Sequence, residues 1–271
     1  MPIVPTADLV AAGRGVAAFN VITLEHAEAI VAGAERAGTP VICQISENAV
    51  RFHGGRPGPI AAATAAVARA SSAPVALHLD HVTDLALLRR AAEFGFGSVM
   101  YDGSRHGYAE NVARTAEAAA WAHEHGLWIE GELGEVGGKD GVHDPAARTD
   151  PAAARAFVAA TGVDALAVAV GSSHAMTERT ARLDHALIGE LSAALTVPLV
   201  LHGSSGVPDD ELRRAVRGGM AKINIGTALN VAFTDAVRRA IPGQVDPRRY
   251  LAPARTAMTE VVAHLLAVVT V

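Results

Sequence analysis

Two stretches decide the fold: Pro198-Leu199-Val200-Leu201-His202-Gly203-Ser204-Ser205-Gly206 and Lys222-Ile223-Asn224-Ile225-Gly226-Thr227. Each is a short apolar run that ends on a polar residue and a small-residue loop. Between them, Pro208-Asp209-Asp210 opens a helical stretch over 209–216, with proline and acidic residues where a helix start wants them. Strand, helix, strand is the unit of a parallel sheet.

The same rhythm extends over the whole chain. Apolar runs at 16–19, 41–45, 75–79, 98–101, 127–129, 165–170, 199–201 and 222–225 read as strands. They do not alternate with polar residues, as expected for strands buried on both faces. Breakers stand before several of them, at Pro40, Pro74, Gly97, Gly126 and Pro198. Stretches of helical spacing at 24–37, 84–94, 109–125, 152–160 and 209–216 lie between. Asp150-Pro151 reads as an N-cap with proline in the first turn. Eight such units in a chain of 271 residues predict one (β/α)8 TIM-barrel domain over residues 1–271. A doubly wound sheet fits less well. Gly13-Arg14-Gly15 precedes the first strand as a turn, and no glycine-rich fingerprint follows it.

Composition narrows the function. Half the residues are hydrophobic and 19% are charged, which argues against disorder. A net charge of −5 argues against broad binding to nucleic acid or anionic membrane. Cys43, the single cysteine, lies in an apolar run and reads as a buried thiol, compatible with a reducing, cytoplasmic setting. No signal-peptide pattern opens the chain, and no run approaches a membrane span. The apolar stretch 261–271, interrupted by His264, reads as a helix packed on the body or on a second subunit.

A barrel carries its chemistry at the C-terminal ends of its strands. Those ends read Asn20, Ser46, Asp80-His81, Asp102, Glu132, His174, His202-Gly203 and Asn224. Any one of them has an ordinary explanation as a turn former; eight together point to a site. His81, His174 and His202 form a ligand set for zinc or a similar ion, with a position left for substrate. Asp80, next to His81, suits either proton transfer or orientation of a histidine. Both neighbours reach the mouth only if the strand ends there, because adjacent residues otherwise face opposite sides. Asp102 and Glu132 are rim carboxylates for a second cation or for orienting the ligands. His53, His106 and His143 lie in loops near the mouth, and His78 and His26 receive no metal role. The loops Gly203-Ser204-Ser205-Gly206 and Asn224-Ile225-Gly226-Thr227 follow strands seven and eight, where barrels bind phosphate through backbone N–H groups.

Read together, His78-Leu79-Asp80-His81, Gly131-Glu132-Leu133-Gly134 with Gly137-Gly138, 201–206, 222–227 and Asp246-Pro247-Arg248 resemble the class II, zinc-dependent ketose-bisphosphate aldolases. That family comprises fructose- and tagatose-bisphosphate aldolases, and the tagatose type is the closer match. The resemblance implies one catalytic Zn2+ on His81, His174 and His202, and Asp80 as the proton shuttle. It puts further metal carboxylates, for a second divalent or a monovalent cation, at Asp102 and Glu132. It implies phosphate contacts at Gly203, Ser205, Asn224 and Thr227, and contacts to the other half of the substrate at Asn20 and Ser46. Arg248 would reach the neighbouring site of a homodimer or homotetramer. The implied reaction is reversible cleavage of fructose or tagatose 1,6-bisphosphate to dihydroxyacetone phosphate and glyceraldehyde 3-phosphate.

The chain departs from the family pattern at three places. Ala175 follows the second zinc histidine where the family often has glycine. Glu178 stands where a lysine is common. The loop after Glu132 offers Asp140, beside Lys139, where the family has a glutamate acid/base, with His143 and Asp144 as substitutes. These departures favour an alternative in which the same aldol chemistry serves another phosphorylated or modified sugar. A metal-dependent hydrolase and a non-catalytic barrel are the remaining readings; the phosphate loops speak against the first, the histidine triad and Asp80 against the second.

Overall fold

The computed structural model describes residues 3–134 and 147–271. Within them the strands are β1 Val16–Asn20, β2 Val41–Ser46, β3 Val75–Val82, β4 Ser98–Tyr101, β5 Trp128–Glu132, β6 Ala165–Ala167, β7 Leu199–Leu201 and β8 Met220–Ile225. They close into a parallel barrel in sequence order. This is the expected (β/α)8 architecture.

The helices are α1 Thr6–Ala11, α2 Leu24–Ala37, α3 Glu47–Phe52, α4 Pro57–Ala70, α5 Leu85–Leu88, α6 Tyr108–Glu124, α7 Pro151–Thr161, α8 His185–Ala194, α9 Asp209–Arg217, α10 Thr227–Ala240 and α11 Arg248–Val269. Asp150 caps α7 as its sequence suggests, its Oδ1 accepting from Ala153 N at 2.8 Å. The C-terminal stretch is part of α11, which packs on α2 and α10. At the α2 crossing Gly33 leaves no room for a side chain: a Cβ there would lie 2.5 Å from Val262. None of the described helices is long and apolar enough to cross a membrane.

Among the boundaries that differ from the sequence reading, three are instructive here. The stretch 84–94 is not one helix but α5 followed by a 3₁₀ turn at Ala91–Phe94. Its two fully buried residues, Leu88 and Ala91, are three apart, the repeat of a 3₁₀ turn. Strand β6 stops at Ala167 because the chain then turns to Thr149: Ala169 N donates to Thr149 Oγ1 at 2.8 Å and Thr149 N to Ala169 O at 2.9 Å. Strand β5 runs on to Glu132, past the Ile129 at which its apolar character ends.

That last difference exposes the interior of the barrel. The pairings His78↔Ser98, Met100↔Glu130 and Val200↔Lys222 set these residues side by side. Barrel interiors are usually stacked from Val, Ile and Leu. Here one level is polar, with His78, Glu130 and Lys222 all 0% exposed. Beneath it α1 closes the barrel floor, packing Leu9 and Val10 on Val16, Ala18, Ile42 and Ala76. Thr6 Oγ1 meets Ser98 Oγ at 2.6 Å, and Ser98 Oγ lies 2.8 Å from His78 Nδ1.

Cys43 sits fully buried in β2, and burial pushes its thiol up to about 12. The thiolate is the reactive form. A disulfide-exchange reagent at pH 8 is therefore expected to leave the native protein unlabelled and to label it once denaturant is added.

Candidate active site

Strand β3 brings two adjacent side chains to one mouth by breaking its own alternation. Its register shifts between Leu79 and Val82, and His81 has a φ of 49°, the left-handed region that a non-glycine residue adopts at a cost. The strand therefore does not end at Asp80, as the sequence reading required; a bulge does the same work. Asp80, 1% exposed, faces inward, and His81 joins it on the cavity wall.

His174 sits in the loop after β6, which is tied to the end of β7 by Ser172 Oγ donating to His202 O at 2.6 Å. The three histidines expected as ligands converge. Each offers a nitrogen, and these nitrogens all lie within 4.8 Å of one another.

Their outer hydrogen bonds fix which nitrogens face inward. His81 Nδ1 is 3.0 Å from Asp102 Oδ2, and His202 Nε2 is 2.7 Å from Glu130 Oε1. Carboxylates only accept, so each of these nitrogens carries the proton. The opposite nitrogens, His81 Nε2 and His202 Nδ1, then present lone pairs to each other across 2.9 Å. Two facing lone pairs repel, and a cation between them removes the conflict. Zn–N bonds of about 2.0–2.1 Å in a tetrahedron set such nitrogens roughly 3.3 Å apart, an opening of a few tenths of an ångström. The residues fit a metal ion. Asp102 thus orients His81. Together with Glu132, 0% exposed, it forms a second potential ligand group around His81.

The pair under His202 was not among the site residues expected from the sequence. Glu130 Oε2 accepts from Lys222 Nζ at 2.8 Å, with both side chains 0% exposed. Burial opposes charge on Glu130, but Lys222 and the His202 hydrogen bond outweigh it and hold the carboxyl far below its ordinary range. His78, pushed down to about 3 by burial and by Lys222, is neutral. Burial also opposes charge on Asp80, yet nearby positive charge, that of Lys222 included, keeps its carboxyl below the ordinary value, so it stands as a base.

A cavity of about 420 Å3 runs from this centre to the ends of β7 and β8. Its far wall includes Gly203, Ser205, Asn224, Gly226 and Thr227. Gly203 has a φ of 66°, and a Cβ on it would lie 2.5 Å from the Ser173 carbonyl carbon; glycine is required there on both counts. Ser205 Oγ accepts from Ala228 N at 3.0 Å, pinning the loop to the first turn of the 14-residue α10. The positive end of the helix dipole favours an anion here. Two residues of the expected phosphate group face elsewhere. Ser204 turns its hydroxyl to Leu201 O at 3.1 Å, and Ile225, 1% exposed, packs in the core. Their side chains take no part in the cavity wall.

Ala175 lines the cavity with a φ of 59°, so it occupies a glycine-type backbone position. Ala175→Gly is expected to stabilise the protein by about 0.5–1 kcal/mol, relief of αL strain exceeding the added chain entropy. A thermal melt would show a rise of a few degrees. Glu178 is exposed and outside the cavity wall; its neighbour Arg179 donates to Val207 O at 2.6 Å.

Asn20 accepts from Gln44 Nε2 at 2.7 Å, Ser46 caps α3 by accepting from Ala49 N, and both line the cavity. They also line a second space of about 570 Å3, shared with His81 and His174 and walled by Arg51, Arg105, His106 and Arg114. His53 turns to Ile22 O at 2.8 Å. Arg248 lines neither of these spaces; it is exposed and paired with Asp246 at 2.8 Å. Lys139, Asp140, His143 and Asp144 fall outside the described residues.

The chain matches the family described as fructose-bisphosphate aldolase class-II over residues 6–271. It belongs to that family. This aldolase is thus a carbon–carbon lyase of a class that is zinc-dependent in general. It is 40% identical over 250 residues to the 6-phospho-5-dehydro-2-deoxy-D-gluconate aldolase of Shouchella clausii (strain KSM-K16), covering 90% of this chain and 85% of that one. It is 36% identical over 261 residues to the D-tagatose-1,6-bisphosphate aldolase subunit GatY of Klebsiella oxytoca, covering 94% and 91%. Among solved structures, the YdjI aldolase from Escherichia coli K12 superposes with a TM-score of 0.82 at 30% identity, covering 97% of this aldolase and 94% of that chain.

Proposed function

We propose that this aldolase uses a Zn2+ ion held by His81, His174 and His202 and that Asp80 moves the proton in cleavage of a ketose 1,6-bisphosphate, fructose or tagatose. The observation that carries the reading is the convergence of the His81, His174 and His202 nitrogens, all within 4.8 Å of one another, beside the buried Asp80. A bound divalent ion would supply Lewis-acid polarisation of substrate oxygens. Asp80 Oδ takes the proton from the hydroxyl on the carbon that becomes the aldehyde, and returns it in the condensation direction. The carbon–carbon bond breaks with its electron pair left on the ketose half, dihydroxyacetone phosphate. Amides of the Gly203–Ser205 and Gly226–Thr227 segments hold that half's phosphate, with Asn224 beside it; Ala175 N–H joins them. Asn20 and Ser46 face the other half. Asp140 supplies the acid that protonates the carbon left behind.

A second reading keeps the chemistry and changes the far end of the substrate. It is favoured by the arginine-walled space beyond His81 and His174, which suits any terminal anion. A phosphorylated sugar acid, the substrate class named for the relative at 40% identity, carries a carboxylate there. We further propose a homodimer or homotetramer in which Arg248 serves the neighbouring site. Asp102 and Glu132 are offered to a second cation. We assign the reaction to the cytoplasm, where Cys43 stays a thiol.

The test is triose phosphate release by the metal-loaded protein from fructose 1,6-bisphosphate, tagatose 1,6-bisphosphate and 6-phospho-5-dehydro-2-deoxy-D-gluconate, with and without a chelator. Chelator-sensitive release from either bisphosphate is the expected result. Release from the sugar acid alone would replace it by the second reading, and release that ignores the chelator would overturn the metal assignment.

A further inference from the structure

We propose that the buried Glu130–Lys222 pair is a positioning device that dictates which imidazole nitrogen His202 turns toward the metal. The inference rests on the reading of His202 as a metal ligand. Neither Glu130 nor Lys222 lines the substrate cavity, and both are sealed inside the barrel at 0% exposure. Stability gives no reason for them, because well-packed apolar residues fill such a space equally well. Their geometry supplies one. Glu130 divides its two oxygens, Oε2 to Lys222 Nζ at 2.8 Å and Oε1 to His202 Nε2 at 2.7 Å. The ammonium balances the carboxylate and leaves it one job, to accept the His202 Nε2 proton. The Nδ1 lone pair is then turned inward.

Two other groups stand near. Asn224 Nδ2 lies 3.1 Å from His202 Nε2 and also 3.4 Å from Asp80 Oδ1. The carboxylate oxygen at 2.7 Å only accepts, so His202 Nε2 carries the proton, and Asn224 Nδ2, itself a donor, donates to Asp80 and not to His202. His78 Nε2 is 4.0 Å from Glu130 Oε2 and has no hydrogen-bond partner.

The arrangement makes a prediction that simple loss of packing does not. In Glu130→Gln, Lys222 must still donate and therefore claims the amide oxygen. The amide NH2 then faces His202 Nε2, which has to become the acceptor. The proton moves to Nδ1, the side facing the metal. In the double variant Glu130→Gln with Lys222→Met, that competition is gone. The amide oxygen accepts from His202, and the NH2 has His78 Nε2 beside it.

The measurement is Co2+ affinity by competition with a chromophoric chelator, alongside the Co2+ absorption spectrum and the thermal midpoint of each variant. Glu130→Gln is expected to bind about 10- to 100-fold more weakly. The double Gln/Met variant is expected to recover to within about threefold of the parent with a parental spectrum. Should Glu130→Gln fail to fold, two charge-free doubles decide. Gln/Met keeps an acceptor and binds tightly, whereas Met/Met lacks one and binds weakly. Equal affinity of those doubles, or a Glu130→Gln that folds and binds like the parent, overturns the proposal. His202→Ala separates the two levels. If it binds Co2+ with parental affinity, the ligand assignment itself fails; if it binds weakly while the Glu130 series does not change, only this inference fails.

Discussion

Asp80→Asn is expected to lower kcat by roughly a hundred- to ten-thousand-fold, the range for loss of one positioned proton-transfer group. Metal affinity and thermal midpoint should stay close to parental. Asparagine has the same shape and still accepts at Oδ1, so Asn224, whose Nδ2 lies 3.4 Å away, keeps its neighbour. What goes is the charge that lets Oδ take a proton. Metal titration and steady-state kinetics on the same preparation distinguish this from an orienting role. If Asp80 acted only by holding a histidine in place, metal affinity would fall and saturating metal would restore kcat. A kcat that stays low with the metal site full identifies proton transfer.

Lys222→Met is expected to be the most damaging single change to stability, by about 3–5 kcal/mol. The loss comes less from the missing bond than from what it leaves behind, a carboxylate 0% exposed whose Oε2 faces no cation. At about 2–4 °C per kcal/mol for a chain of this size, the midpoint should drop by about 10 °C in a calorimetric scan. Adding Glu130→Met to the same protein should recover most of that drop, because a buried pair removed whole costs far less than a pair broken in half. A Lys222→Met protein that melts with the parent would mean that Glu130 is neutral in the fold.

The contrast between these two residues explains what the sequence made legible. Asp80 and the histidines stand where apolar runs stop, and a barrel makes such ends chemically meaningful. Glu130 and Lys222 stand inside strands β5 and β8, short of their ends. A signal for them existed: each lies two residues before a rim residue, Glu130 before Glu132 and Lys222 before Asn224. In a strand, positions two apart share a face. Reading inward from the rim with that period finds the polar level under the metal site. Reading for apolar character alone cut β5 short at Ile129 and hid it. The bulge at His81 was out of reach, because its positive φ depends on neighbours that no local residue type announces. Ala175 shows the opposite case. Its departure from glycine was visible in the chain, but its cost became clear only with its left-handed backbone.

The candidate metal cluster and its supports also span most of the circumference of the barrel. Its three histidines hang from β3, β6 and β7, His81 leans on Asp102 at the end of β4, and His202 leans on Glu130 in β5, which is balanced by Lys222 from β8. An ion bound there would act as a keystone for six of the eight staves. No contiguous half of the chain carries the whole set, so half a barrel has no such site to offer. Affinity for the ion is therefore a property of ring closure, and free-ion concentration becomes a tuning knob for the cohesion of the entire fold. At a hundred times the dissociation constant it adds about 2.7 kcal/mol, distributed around the ring and not lodged in one loop.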